Sequence, residues 1–81
     1  MKTSTRTAIL KALKALGLND SDFAHPSWSP SGVAICTEGD HPYLIGDSDE
    51  YTVNADIQRI AAKHGCFVEW ENPAILCITP M

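Results

Sequence analysis

Apolar residues recur at helical spacing from about Thr5 to Leu16: Ile9, Leu13 and Leu16, flanked by Leu10, form one face, with Lys11 and Lys14 on the other. The spacing predicts an amphipathic helix. Ser4 or Thr5 is placed to cap its free amides, Lys14 suits the negative end of its dipole, and Gly17 supplies a left-handed stop. A second helical pattern, Val53, Ile57, Ile60 and Ala61, follows Asp47-Ser48-Asp49-Glu50, whose acids and hydroxyl suit a helix N-terminus. Lys63 and His64 then precede Gly65, a second stop.

Two short β-rich runs, Val33 to Thr37 and Tyr43 to Asp47, flank the turn-forming cluster Glu38-Gly39-Asp40-His41-Pro42 and predict a hairpin. Cys66 to Glu71 and Ala74 to Thr79, around Asn72-Pro73, predict a second. Proline is disfavoured as the second central residue of a type I turn, so Pro73 is expected either to be cis or to sit in a longer loop. The run AILCIT is apolar on both faces, as a central or doubly covered strand must be. In its partner run, Cys66, Val68 and Trp70 share one face while Phe67, Glu69 and Glu71 share the other.

Between the first helix and the first strand, NDSDFAHPSWSPSG has no period, and Pro26 and Pro30 each remove a backbone donor. This is an ordered loop with two large rings, Phe23 and Trp28. Either both plug the core, or Trp28 is an exposed anchor of the kind enriched at interfaces.

The expected fold is one small α+β domain of order αββαββ spanning residues 1–81, a four-stranded, mainly antiparallel sheet with two helices packed on one face. The second helix would link two strands through a right-handed parallel crossover. Core positions expected from the pattern are Ile9, Leu13, Leu16, Val33, Ile35, Leu44, Ile57, Ile60, Val68, Ile75 and Ile78. A chain of 81 residues with 44% hydrophobic and 20% charged residues suits a single core that buries about 60% or a little more of the unfolded area.

The three cysteines, Cys36, Cys66 and Cys77, form no C-x-x-C pair, and their odd number fits a reducing compartment better than a disulfide framework. A cytoplasmic protein is expected. Lys11 and Lys14 interrupt what would have to be a signal-peptide core; the same basic, acid-free segment has the character of an organelle presequence, but its glycine stop favours the first helix of the domain.

Charge is the most informative feature. Residues 20–56 hold eight acids and no Lys or Arg, whereas residues 1–19 hold four cations and no acid; the whole chain carries −4. Such a field repels nucleic acid and steers in basic partners. Glu69 and Glu71 would project from one face of a strand about 6.6 Å apart, close to the spacing of neighbouring phosphates, and Asp47 and Asp49 could extend the row. Carboxylates so placed can occupy the Lys/Arg groove of a nucleic-acid-binding protein.

Enzymatic constellations are weak. His64, Cys66 and Cys77 lack the paired spacing of structural zinc, and Cys36, His41 and Asp40 could form a nucleophile triad only in an electropositive setting that the local acids oppose. No phosphate loop, nucleophile elbow or HExxH motif occurs. Neither metal nor cofactor is expected.

The preferred expectation is a non-enzymatic protein that binds a basic surface of a larger protein, one whose natural ligand is nucleic acid, through Asp47, Asp49, Glu50, Glu69, Glu71 and Trp28. In type, with no matched motif, such a chain resembles phage and mobile-element inhibitors, anti-CRISPR proteins among them. Direct nucleic-acid and membrane binding are not expected; homo-oligomerisation is compatible with so small a core. The alternatives are a winged-helix-like DNA-binding regulator, using helix 53–64 and the 66–79 hairpin as wing, and a small enzyme or enzyme subunit using Cys36 or a carboxylate pair.

Overall fold

The computed structural model describes residues 1–81. Helix α1 spans Thr3–Leu16 and α2 Ala55–Lys63; the strands are β1 (Val33–Cys36), β2 (Gly46–Asp47), β3 (Thr52–Val53), β4 (Cys66–Asn72) and β5 (Ile75–Pro80). Single 3-10 turns occupy Asp20–Asp22, Pro26–Trp28 and Pro42–Leu44.

Helix α1 begins before Ser4 and Thr5, so neither is its cap, and its first turn has no side-chain cap. It ends at Gly17 with φ 126°. There Leu18 N–H reaches back to the Leu13 carbonyl and Gly17 N–H to that of Lys14. This pair of bonds satisfies two terminal carbonyls and turns Leu18 into the core. Helix α2 is capped by Asn54, whose side chain accepts from Asp56 N–H at 2.7 Å. The acids of residues 47–50, expected at this N-terminus, instead lie at the end of β2 and in the turn that leads to β3.

One four-stranded sheet does not form. The molecule has a three-stranded antiparallel sheet ordered β1-β5-β4 and a separate two-stranded ladder, β2 with β3. The expected hairpin of residues 33–37 with 43–47 fails because Pro42 starts a helical turn and has no N–H for a ladder. The edge it would have used is also taken: Phe23 bridges Ile35, and Ala24 N–H donates to the Ala34 carbonyl at 3.0 Å. The parallel crossover is absent for the same reason, since β3 and β4 belong to different sheets.

The β4–β5 hairpin forms as the pattern requires, with Val68 opposite Ile78 and Trp70 opposite Leu76. Its turn differs from the expected one. A bulge at Glu71 shifts the register so that Asn72 pairs with Ile75, and Pro73 becomes the first central residue, where its fixed φ is favourable. Asn72 Oδ1 accepts from Ala74 N–H and closes the turn; no peptide bond is cis.

Strand β5 is central and buried from Ile75 through Ile78. Leu76 and Ile78, with Val33, Ile35 and Cys66, meet Ile9 and Leu13 of α1 and Ile57 and Ala61 of α2. Both helices therefore cover one face. Ile75 and Cys77 face the other way and pack with Ala34, Cys36, Ala24 and Ala74. Of the expected core, Leu16, Leu44, Ile60 and Val68 are only half-buried, while Leu18, Ile45, Leu76 and Asp22 are additional buried residues.

Leu13 is fully buried and Ile60 is not, which separates two superficially equal leucine-like positions. Leu13→Ala is expected to cost about 2–5 kcal/mol by urea unfolding. Ile60→Ala should cost clearly less. Equal losses would contradict the packing described.

Candidate functional site

The long loop between α1 and β1 is organised by one buried carboxylate. Asp22 is fully buried, and its two oxygens accept three hydrogen bonds: Oδ1 from His41 N–H at 2.8 Å, and Oδ2 from His41 Nδ1–H at 2.8 Å and Asn19 N–H at 2.9 Å. Burial raises the Asp22 pKa, but these donors outweigh it and hold the carboxyl below its ordinary value. Gly39 fits against the same carboxylate, since a Cβ there would stand 2.7 Å from Asp22 Oδ1 and 2.6 Å from the Ser21 carbonyl oxygen. The Asp22 contacts thus join segments 19–22 and 39–41.

From this clamp the chain crosses the sheet face opposite the helices. Phe23 turns inward against the core, whereas Trp28 stays 46% exposed. The two rings therefore part company. His25 Nδ1 accepts from Ser27 N–H and starts the turn that carries Trp28, and the Trp28 carbonyl lies 3.6 Å from Cys77 Sγ, which donates to it. A groove of about 490 Å³ opens beside Trp28, walled by Phe23, His25, Cys36, Glu38 and Ile75.

Glu69 lies opposite Cys77 in the β4–β5 register and is exposed on this same face. Burial pushes the Cys77 thiol up; a Ser29 hydrogen bond opposes this, and the carboxylates of Glu71 and Glu69 add to it. Both acids therefore act on a thiol that also lies under the Trp28 carbonyl. Glu69 and the Trp28 backbone thus both adjoin Cys77.

Asp47 at the end of β2 and Asp49 and Glu50 in the β2–β3 turn are exposed, and Asp47 Oδ1 accepts from Asp49 N–H at 2.9 Å. Ser48 Oγ donates to the Pro73 carbonyl at 3.0 Å and ties this turn to the tip of the β4–β5 hairpin. Asp49 lines a cleft of about 320 Å³ with Tyr51 and Trp70. These acids thus flank the hairpin tip, while Glu69 and Glu71 stand on the sheet.

The cations are placed elsewhere. Lys14 pairs with Asp20 at 3.0 Å and Arg59 with Asp56 at 2.7 Å, so the basic first helix does touch the acidic segment. None of Asp47, Asp49, Glu50, Glu69 or Glu71 has a cationic partner. Sequence reading missed the role of Asp22, although an acid three residues after Asn19, in reach of its amide, is a recognisable capping box.

The Cys36, His41 and Asp40 side chains do not assemble into the triad that the sequence allowed. His41 Nδ1 is committed to Asp22, and Asp40 accepts from Ser21 Oγ, so neither serves Cys36. No three His, Cys, Asp or Glu side chains converge where a metal ion could be held. No helix is long and apolar enough to cross a membrane. Fold and surface define a small α+β domain with an acidic, tryptophan-bearing sheet face. Compared with known proteins, the chain matches no family model, no curated protein and no solved structure.

Because the folded Asp22 pKa lies below that of the unfolded chain, its contribution is fully present above the unfolded value of about 3.9 and is lost as pH falls through the folded value. Urea unfolding at a series of pH values should show wild-type stability falling with acidification below about pH 4. Asp22→Asn should be less stable by about 1–3 kcal/mol near neutral pH, since its amide sets a donor against buried donors. It should also lose part of the acid slope. An unchanged slope would show that Asp22 is not held as described.

Proposed function

We propose that the protein is a non-enzymatic binding protein that engages a basic surface of a larger protein, a nucleic-acid-binding machine, and blocks or modulates it. The observation that carries this reading is the set of five exposed acids, Asp47, Asp49, Glu50, Glu69 and Glu71, left without cations while Lys14 and Arg59 are neutralised by other acids. Exposed pairs of this kind add little net affinity to a complex. Their effect is on encounter, where a field of one sign steers an oppositely charged partner. Trp28 supplies the apolar anchor that such steering needs if the complex is to last.

The Lys and Arg residues of the partner would take the place on these carboxylates that they hold on phosphates, so the protein itself does not bind DNA or RNA. Activity of this type is that of a phage or mobile-element inhibitor, anti-CRISPR-like in action. Arg59 on α2 is bound to Asp56 and the β4–β5 hairpin carries Glu69 and Glu71, so a winged-helix mode would present an acidic wing to phosphates.

Affinity purification from native host extract, with mass spectrometry of what co-elutes, supplies the partner. Glu69→Gln with Glu71→Gln should then slow association by about tenfold at low salt, and added salt should slow the unmodified protein in the same way. Trp28→Ala should speed dissociation and leave the melting temperature of the free protein nearly unchanged, as befits a half-exposed ring. Partner binding indifferent to both the carboxylate changes and salt would end the acidic-face reading.

A further inference from the structure

Strand β4 is an open edge. The sheet order leaves one side of its seven residues without a neighbouring strand. Met81 N–H donates to the Gly65 carbonyl at 3.1 Å, and Thr37 N–H to that of Ala74 at 2.8 Å. These two bonds set the phase of the ladder. Phe67 and Glu69 exchange hydrogen bonds with Thr79 and Cys77, while the N–H and C=O groups of Cys66, Val68 and Trp70 point away from β5. No other backbone or side-chain group of the chain bonds them. Beside them Trp70 has a further unused donor, its indole Nε1–H, which is buried without an acceptor.

Edge strands of this length are ready templates for another strand. The side chains select what can pair. On the helix-covered side, Val68 and Trp70 offer an apolar border; on the other, exposed Glu69 and Glu71 stand where cross-strand neighbours would meet them. A second copy added antiparallel with its Trp70 opposite Val68 or Trp70 would set these carboxylates against each other, which is destabilising. A strand carrying Lys or Arg at alternate positions meets them with opposite charge.

We propose that β4 is extended by a strand from the partner, an extended segment with alternating basic and apolar residues whose cations face Glu69 and Glu71 and whose backbone bonds Cys66, Val68 and Trp70. This rests on the acidic-face reading and gives it a binding mode: main-chain bonds supply affinity and alternate side chains supply specificity. The bulge at Glu71 limits the paired length, because it ends regular pairing at Trp70.

The test uses the full chain and a synthetic peptide alternating lysine and valine, with amide exchange read by NMR. In the free protein the amides of Val68 and Trp70 should exchange faster than those of Phe67 and Glu69. Saturating peptide should slow the Val68 and Trp70 amides by about tenfold or more. The same peptide N-methylated at alternate residues should not, and neither should a glutamate–valine peptide. Val68→Pro, which removes an outward N–H without breaking a bond to β5, should abolish the protection.

Unchanged exchange on adding the lysine peptide overturns the proposal. Equal binding by the N-methylated peptide also overturns it, while leaving the acidic face as a side-chain contact. Equal protection by the glutamate peptide overturns the basic occupant and the acidic-face reading together. Protection that appears with rising protein concentration alone would identify a second copy as the occupant and contradict the choice made here.

Discussion

Strand β5 is apolar on both faces, and a chain with two helices, both on the same face, must cover the second face with something else. That constraint organises the molecule. The cover is the irregular segment from Phe23 to Gly32, whose only regular structure is the single turn Pro26–Trp28 and the bridge of Phe23 to Ile35. Its fit is close: a Cβ on Gly32 would stand 1.9 Å from the Ile78 carbonyl oxygen, so only glycine allows this approach. At one end the segment is held by Asp22 and by the short pairing of Phe23 and Ala24 with β1. A buried carboxylate with three donors is costly to disrupt, which makes it a suitable peg for a loop.

The same arrangement sets the surface chemistry. A loop over the second face is thinner than a helix, so β4 at the far edge keeps Phe67, Glu69 and Glu71 in solvent. Trp28 rides on the loop and Cys77 lies beneath it, where burial, with the carboxylates of Glu71 and Glu69, favours its thiol form. The strong charge segregation along the chain is partly cancelled in space by the Lys14–Asp20 pair. Of the seven acids left without a cationic partner, five lie on the β4–β5 hairpin and the turn tied to its tip, and Glu38 and Asp40 lie beside the Asp22 clamp.

Much of this was legible in the sequence, and the failures have physical causes. Both helices, their glycine stops, the closing hairpin and the central burial of residues 75–78 follow from periodicity and local stop signals, which are short-range. The Glu69–Glu71 face follows from strand alternation, though not the bulge that leaves Glu71 unpaired. The first expected hairpin does not form because Val33–Cys36 is a strand whose partners are β5 and Phe23, contacts of long sequence separation that no local pattern carries. The Asn19–Asp22 capping box is local, but the burial of Asp22 depends on His41, brought to it across 19 residues. Leu18 escaped because it follows a stop, where a helical face is no longer counted.

The central claim is that the Asp22 clamp holds the Trp28 segment over Cys77, and thiol reactivity tests it directly. Alkylation of Cys77 and Cys66 would be followed by mass spectrometry in the native protein and in Asp22→Asn under conditions where both are folded. Cys66 is buried in the helix-covered core and serves as the internal control. The account predicts that releasing the clamp accelerates labelling of Cys77 and leaves Cys66 protected. Labelling of both at equal rates, or of neither, would contradict it.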